Sequence, residues 1–128
     1  MIQFDSNFIF VIDDVEENRH LASLYLKKLG WEVLLFDSGE KALRKLSKLI
    51  PSYILLDIKM PEMDGISVAR VIRLNLSNAQ TKIIGYTAHA LKDEVQNIRA
   101  SGFDDVLIKP VTYKNMSDCF GTNGVEFF

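Results

Sequence analysis

An α/β fold, a single doubly wound parallel sheet of five strands with helices on both faces, is predicted by three features of this 128-residue sequence. Short apolar runs recur along the chain, as buried strands require. Segments of helical periodicity separate them, and such alternation implies parallel strands joined by short crossovers. Four of the runs end in residues that carry chemistry. Phe8-Ile9-Phe10-Val11-Ile12 leads into Asp13-Asp14, and Tyr53-Ile54-Leu55-Leu56 into Asp57. Ile83-Ile84-Gly85-Tyr86 leads into Thr87, and Val106-Leu107-Ile108 into Lys109-Pro110. Three carboxylates, a hydroxyl and an ammonium therefore lie at the C-terminal ends of strands. In a parallel sheet these ends converge on one edge, where open α/β sheets hold their ligands.

The elements follow in order. The first strand is the apolar run before Asp13. A helix then occupies about residues 16–29, with Leu21, Leu24, Tyr25 and Leu29 near helical spacing and Gly30 as its stop. Residues 31–36 read as a strand. Ser38 is positioned to cap a second helix whose Ala42, Leu43 and Leu46 face inward, and Pro51 ends that segment. Residues 53–57 form the third strand. Asp64-Gly65 opens a third helix that buries Val68, Ala69, Val71 and Ile72. A polar loop, residues 75–81, leads to the fourth strand at 82–86. A helix over about 91–100 stops at Gly102, residues 106–108 make the last strand, and 113–120 a short final helix.

Size and composition set bounds. The length fits one domain, with a core over about residues 7–120 and a tail at 121–128. Apolar residues make up 48% of the chain, enough for one sizeable core. A formal net charge of −2 gives no strong field toward nucleic acid or anionic membrane. The single Cys119 excludes an internal disulfide and suits a reducing compartment. No apolar stretch approaches the ~20 residues that span a bilayer, and the start of the chain lacks the basic region of a signal peptide. The expectation is a cytoplasmic protein without membrane insertion.

Asp13-Asp14, Asp57, Met60-Pro61, Asp64-Gly65, Thr87-Ala88 and Lys109-Pro110, in this order and spacing, resemble the receiver domain of two-component response regulators. Each motif is weak alone; together, each after its own strand, they are specific. The resemblance implies the flavodoxin-like strand order 2-1-3-4-5, with its switch point between the strands that end in Asp13-Asp14 and Asp57. It implies Mg²⁺, with Mn²⁺ as a substitute, bound directly by Asp14, Asp57 and the backbone carbonyl of Lys59, and through a water by Asp13. A hard divalent cation also answers a physical need, since three clustered carboxylates repel one another. Asp14 as a cap of the first helix is the alternative use of one of them.

By the same resemblance Asp57 is the nucleophile that takes a phosphoryl group from a phosphohistidine. Lys109 and the Thr87 hydroxyl, with the Ala88 backbone amide, receive the phosphoryl oxygens. The bond before Pro110 is expected to be cis, which only a proline makes accessible. Lys59 and His89 occupy positions where receivers tune the hydrolytic water, with exposed polar loop residues as the plain alternative; Glu17 and Asn18 either border the site or, the preferred reading, simply open the first helix. Implied partners are a histidine kinase or a histidine phosphotransfer protein, and a downstream protein that the sequence does not name. No direct contact with nucleic acid is expected.

Two departures from the family stand out. Val106 occupies the position, three before Lys109, where receivers carry an aromatic residue that rotates on activation. Valine has no ring and a stiff χ1. Tyr86 is the nearest aromatic substitute in sequence, with a plain core role as its alternative. Signalling is then expected through loop and helix shifts around Thr87 and Ala88. The last helix is also short, ended by Gly121 and Gly124, and the closing Val125-Glu126-Phe127-Phe128 either docks or frays.

Because no DNA-binding or catalytic module follows in this sequence, a signalling domain that works by protein contact is expected, not a turnover enzyme. A stand-alone receiver and one cut from a hybrid kinase both fit. A phosphate-independent interaction module is the competing class; its usual mark is loss of the acidic residues, Thr or Lys, all present here. A phosphatase of the haloacid dehalogenase type wants an aspartate two residues after the nucleophile, where this chain has Lys59. A flavodoxin wants amides and hydroxyls where this chain has carboxylates.

Overall fold

The computed structural model describes residues 3–61, 64–76, 81–88 and 92–124, without the side chains of residues 92 and 93. The expectations for His89, for a helix start at Leu91 and for residues 125–128 lie outside the described residues. Five strands and five helices alternate: β1 (Gln3–Ile12), α1 (Glu16–Lys28), β2 (Glu32–Phe36), α2 (Gly39–Leu46), β3 (Leu49–Asp57), α3 (Gly65–Asn75), β4 (Lys82–Thr87), α4 (Lys92–Ala100), β5 (Asp105–Ile108) and α5 (Tyr113–Phe120). All neighbouring strands pair in parallel, in the order β2-β1-β3-β4-β5. This is the expected doubly wound, flavodoxin-like sheet.

The period of two along each strand sorts side chains to two cores. Phe10, Ile12, Ile54, Leu56 and Ile83 join Ala42, Leu46, Val68, Ala69 and Ile72 of α2 and α3 on one face. Ile9, Val11, Leu55 and Ile84 join Ala22 and Leu26 of α1, and Met116 and Phe120 of α5, on the other. Burial of each of the large apolar side chains among them contributes about 1.5–3 kcal/mol, which anchors the central strands. The C-terminal ends of β1 and β3 inherit that anchorage.

Local signals hold the helices as expected. Ser38 Oγ accepts from the Lys41 amide, and Asp64 Oδ1 from the Ser67 amide at 2.8 Å. Thr112 and Asn115 form a reciprocal capping box at α5. Gly30 ends α1 with φ of 93°, a conformation that side chains resist.

Several expectations are corrected. Asp14 does not cap α1: the N-cap is Val15, without a side-chain cap bond, and it is Asp13 Oδ1 that accepts the Val15 amide at 2.9 Å. Leu24 is 45% exposed, while Ala22, Ser23 and Leu26 face the core. The buried side of α1 is thus carried partly by small residues. Val71 is only half-buried. Pro51 does not end α2, which stops at Leu46; it lies within β3. Residues Gln3, Phe4 and Asp5 pair with Leu49, Ile50 and Pro51, and the register shifts between Asp5 and Ile9. A proline is tolerated beside such an irregularity because the ladder is already interrupted there.

At the opposite end of the chain, Gly121 to Gly124 folds back on the molecule. The Asn123 amide donates to Leu29 O at 2.7 Å and the Trp31 indole N–H to Gly121 O at 2.9 Å. The Asn123 side chain reaches Asn7 Oδ1 at 3.2 Å. These bonds close the sheet beside Asn7, where β1 begins to pair with β2, and at the start of β2.

Candidate functional site

The parity of the strands builds the site. Val11, Leu55, Ile84 and Leu107 face α1 and α5. Two residues further on, the same face presents Asp13, Asp57, Tyr86 and Lys109. Registers bring the first three abreast, since Ile12 pairs with Leu56 and Asp57 with Tyr86; Tyr86 pairs with Leu107, so Lys109 lies two residues further on and its ammonium reaches back. The result is a row across β1, β3, β4 and β5 that reads acid, acid, phenol, ammonium. Thr87, on the other parity, is buried, and its carbonyl accepts the Lys109 amide at 2.8 Å.

The row is tightly knit. Lys109 Nζ lies 3.3 Å from Asp13 Oδ2 and 3.3 Å from Asp57 Oδ1. It also sits 4.5 Å from the centre of the Tyr86 ring. The Tyr86 hydroxyl donates to Asp13 Oδ2. Asp13 is completely buried, and Asp57 is 3% exposed. The Lys59 amide donates to Asp57 Oδ1 at 3.2 Å, and Arg19 Nη1 to the backbone carbonyl of Asp13 at 2.8 Å. The bond between Lys109 and Pro110 is cis.

Gly65 explains its place in the Asp64-Gly65 pair. A Cβ there would collide with the carbonyl oxygen of Asp57 and lie 2.7 Å from Ile58 Cα. Only glycine lets α3 start against the end of β3, where Gly65 N donates to Ile58 O at 2.8 Å. This contact fixes the backbone that directly follows Asp57.

Charge is not balanced at this edge. Oxygens of Asp13, Asp14 and Asp57 all lie within 4.8 Å of one another. Burial, and then the negative charge of Asp13, push the Asp57 carboxyl up to about 6, against the pull of Lys109 and the Lys59 amide. Burial and the bond to Asp13 push the Tyr86 phenol upward as well, so it remains a proton donor. Three close carboxylates facing one ammonium suit a hard divalent cation with oxygen ligands. Asp14, the exposed member, borders an open groove of about 660 Å³ that runs past Ser38, Lys41, Met60 and Pro61, so the cluster is reachable from solvent.

Of the residues singled out from sequence, Asp13, Asp14, Asp57 and Lys109 come together at this edge. Lys59 is exposed and touches Asp57 through its amide. Ala88 is exposed just beyond β4, and Val106 packs, half-buried, on the α2–α3 side of the sheet. Tyr86, expected either as a substitute for the missing aromatic or as a plain core residue, is a core residue that is also a member of the polar row. The signal was available: Tyr86 has the parity of Ile84 and therefore of Asp57.

An open α/β sheet whose C-terminal edge gathers carboxylates and a lysine presents, at its ligand-binding edge, the oxygen donors a hard divalent cation takes. The family model of the response regulator receiver domain matches residues 9–120, and the chain belongs to that family. Sensor histidine kinase RcsC of Escherichia coli is 40% identical over 109 residues, 84% of this chain and 11% of that protein. Signal transduction histidine-protein kinase BarA of the same organism is 33% identical over 103 residues, 80% of this chain and 11% of the kinase. The chain thus spans about a tenth of the length of the curated relatives it matches. Among solved structures, chemotaxis protein CheY4 of Vibrio cholerae superposes with a TM-score of 0.82 at 25% identity, covering 89% of this chain and 95% of that one. The receiver domain of a LuxO repressor protein from Vibrio parahaemolyticus gives 0.78 at 27% identity, covering 89% and 86%. The domain is a signalling module of two-component systems. Receiver domains bind Mg²⁺ at an acidic pocket, and Asp13, Asp14 and Asp57 form such a pocket here.

Proposed function

We propose that this domain is a phosphoacceptor switch in which Asp57 takes the phosphoryl group of a phosphohistidine. The observation that carries the reading is the setting of Asp57. It is buried at the end of a central strand, 3.3 Å from an ammonium and within 4.8 Å of two further carboxylates. An Asp57 oxygen attacks phosphorus, the bond from phosphorus to the donor imidazole breaks, and an acyl phosphate forms. Asp14, Asp57 and the Lys59 backbone carbonyl would hold Mg²⁺ or Mn²⁺, with Asp13 behind a water. The metal supplies positive charge for a phosphoryl oxygen. Lys109 provides charge for a second oxygen, and the Thr87 hydroxyl with the Ala88 amide donates to the third.

The donor is a histidine kinase or a histidine phosphotransfer protein. The likeness of this chain to a segment of two named histidine kinases supports that choice. The output is a protein contact, with no direct role for nucleic acid. No helix among the described residues is long and apolar enough to cross a membrane, and a cytoplasmic setting fits a domain whose donor carries phosphohistidine.

The test is the intact mass of the chain after incubation with acetyl phosphate and Mg²⁺, with a chelated control and Asp57→Asn. A metal-dependent gain of one phosphoryl group, absent in the variant, supports the reading. No gain even with a phosphorylated histidine donor would mean a phosphate-independent interaction module.

A further inference from the structure

Asp13 has no solvent to carry its charge, so its partners decide what the rest of the site can do. Its Oδ1 accepts the Val15 amide at 2.9 Å. Its Oδ2 takes both the Tyr86 hydroxyl and, at 3.3 Å, the Lys109 ammonium. Lys109 is shared, since the same nitrogen stands 3.3 Å from Asp57 and 4.5 Å from the Tyr86 ring centre. A lysine that serves an incoming phosphoryl group must turn away from Asp13. A wholly buried carboxylate that loses its cation suffers a large desolvation penalty unless other donors remain.

The Tyr86 hydroxyl is such a donor. It comes from β4, two strands away from Asp13 in the sheet order, and reaches it on the α1–α5 face beneath Lys109. The phenol is anchored by the α1–α5 core and has 1% of its surface exposed, so it stays where it is when the lysine swings. Its ring is also a surface over which an ammonium can move while keeping a favourable contact. A phenylalanine would keep that surface and lose the bond to Asp13. A leucine would lose both.

We propose that Tyr86 is a positioning residue of this site: by holding Asp13 through its hydroxyl and carrying Lys109 on its ring, it frees the lysine to leave Asp13 for the phosphoryl group. The inference rests on the reading of Asp57 as phosphoacceptor and deepens it. Without the hydroxyl, Lys109 stays committed to Asp13, and the phosphoryl-bound state is disfavoured relative to the free one. A purely structural Tyr86 would lower stability alone.

The experiment is an equilibrium titration with beryllofluoride, a phosphoryl mimic, at saturating Mg²⁺. It compares the native chain with Tyr86→Phe, Asp13→Asn and the double variant, and records thermal unfolding of each. The expected result is a loss of affinity of about tenfold in Tyr86→Phe, reduced to less than about threefold when Asp13 is already Asn, because the two changes remove one interaction. Native affinity in a destabilised Tyr86→Phe chain would overturn the inference, as would an equal loss in both backgrounds. Failure of the native chain itself to bind would instead overturn the phosphoacceptor reading, and the inference with it. Should Tyr86→Phe not fold, the native chain still decides. Nuclear Overhauser contacts between the Tyr86 ring and the Lys109 side chain next to its nitrogen must weaken when beryllofluoride binds, and their persistence unchanged would contradict the proposal.

Discussion

The two ends of the sheet satisfy their polar groups in opposite ways. At the N-terminal end of the strands, closure is made by neutral donors and acceptors: the Asn123 amide on Leu29 O, the Trp31 indole on Gly121 O, and the Asn123 side chain on Asn7. Each is a single neutral bond worth about 1 kcal/mol. At the C-terminal end, charged groups face one another, with Asp13, Asp14 and Asp57 against Lys109. Among the described residues no buried side-chain polar atom lacks a hydrogen-bond partner. The difference between the ends is therefore not unmade bonds but unbalanced charge. Hydrogen bonding can be complete while the electrostatics still favour a bound cation, and that residue of unfavourable energy is what a ligand can use.

Breaking the charged end should have the largest effects. Asp57→Asn removes the proposed acceptor and should abolish phosphoryl gain from acetyl phosphate, as read by intact mass. Lys109→Met should slow that gain by about a hundredfold, as expected when a preorganised positive group is lost. It should also destabilise the metal-free fold by roughly 3 kcal/mol, because two buried carboxylates lose their counter-ion. Urea unfolding with a matched Mg²⁺ series measures the second effect.

The pH dependence sharpens the comparison. The folded Asp57 carboxyl stands at about 6, above its ordinary 3.8. A raised carboxyl contributes stability at low pH, where it is protonated, and loses it as pH rises from about 4 through about 6. The metal-free native chain should lose on the order of 2 kcal/mol from this group across that window. Asp57→Asn should flatten the loss, and added Mg²⁺ should reverse it near neutral pH. Chemical unfolding at a series of pH values reads all three.

The neutral end should give the smallest effect. Asn123→Ala should cost about 0.5–1 kcal/mol in unfolding free energy. It should leave the rate of phosphoryl gain within twofold of native, because the acidic row lies at the far end of the strands. A large rate change in this variant would mean that the ends are coupled and the contrast drawn here is wrong.

Much of the charged end was legible in the sequence because it is written in short-range patterns. An apolar run followed by an acid places that acid at a strand end, and five strand-like runs in alternation with helices imply a parallel sheet. Asp13, Asp57 and Lys109 could be assigned to one edge without coordinates. Tyr86 was harder. Its bond to Asp13 crosses an intervening strand in an order that differs from chain order, and it depends on the length of a phenol. The extension of β1 and β3 was missed because Gln3, Asp5, Ser6 and Asn7 are polar and Pro51 argues against a strand. Pairing at an interrupted edge needs neither apolar pattern nor a complete set of amides. Leu24 lies at helical spacing and is nonetheless exposed, because spacing alone does not say which side of α1 meets the sheet. Burial of Ala22, Ser23 and Leu26 does.

The central claim is that the unbalanced carboxylates serve one nucleophile. The most direct test is to treat the chain with acetyl phosphate and Mg²⁺, reduce it with borohydride, and map the peptides. Borohydride converts an acyl phosphate of aspartate to homoserine and spares free carboxylates. The account predicts homoserine in place of Asp57 alone, and none when the metal is chelated. Conversion at Asp13 or Asp14, or equal conversion without metal, would contradict it.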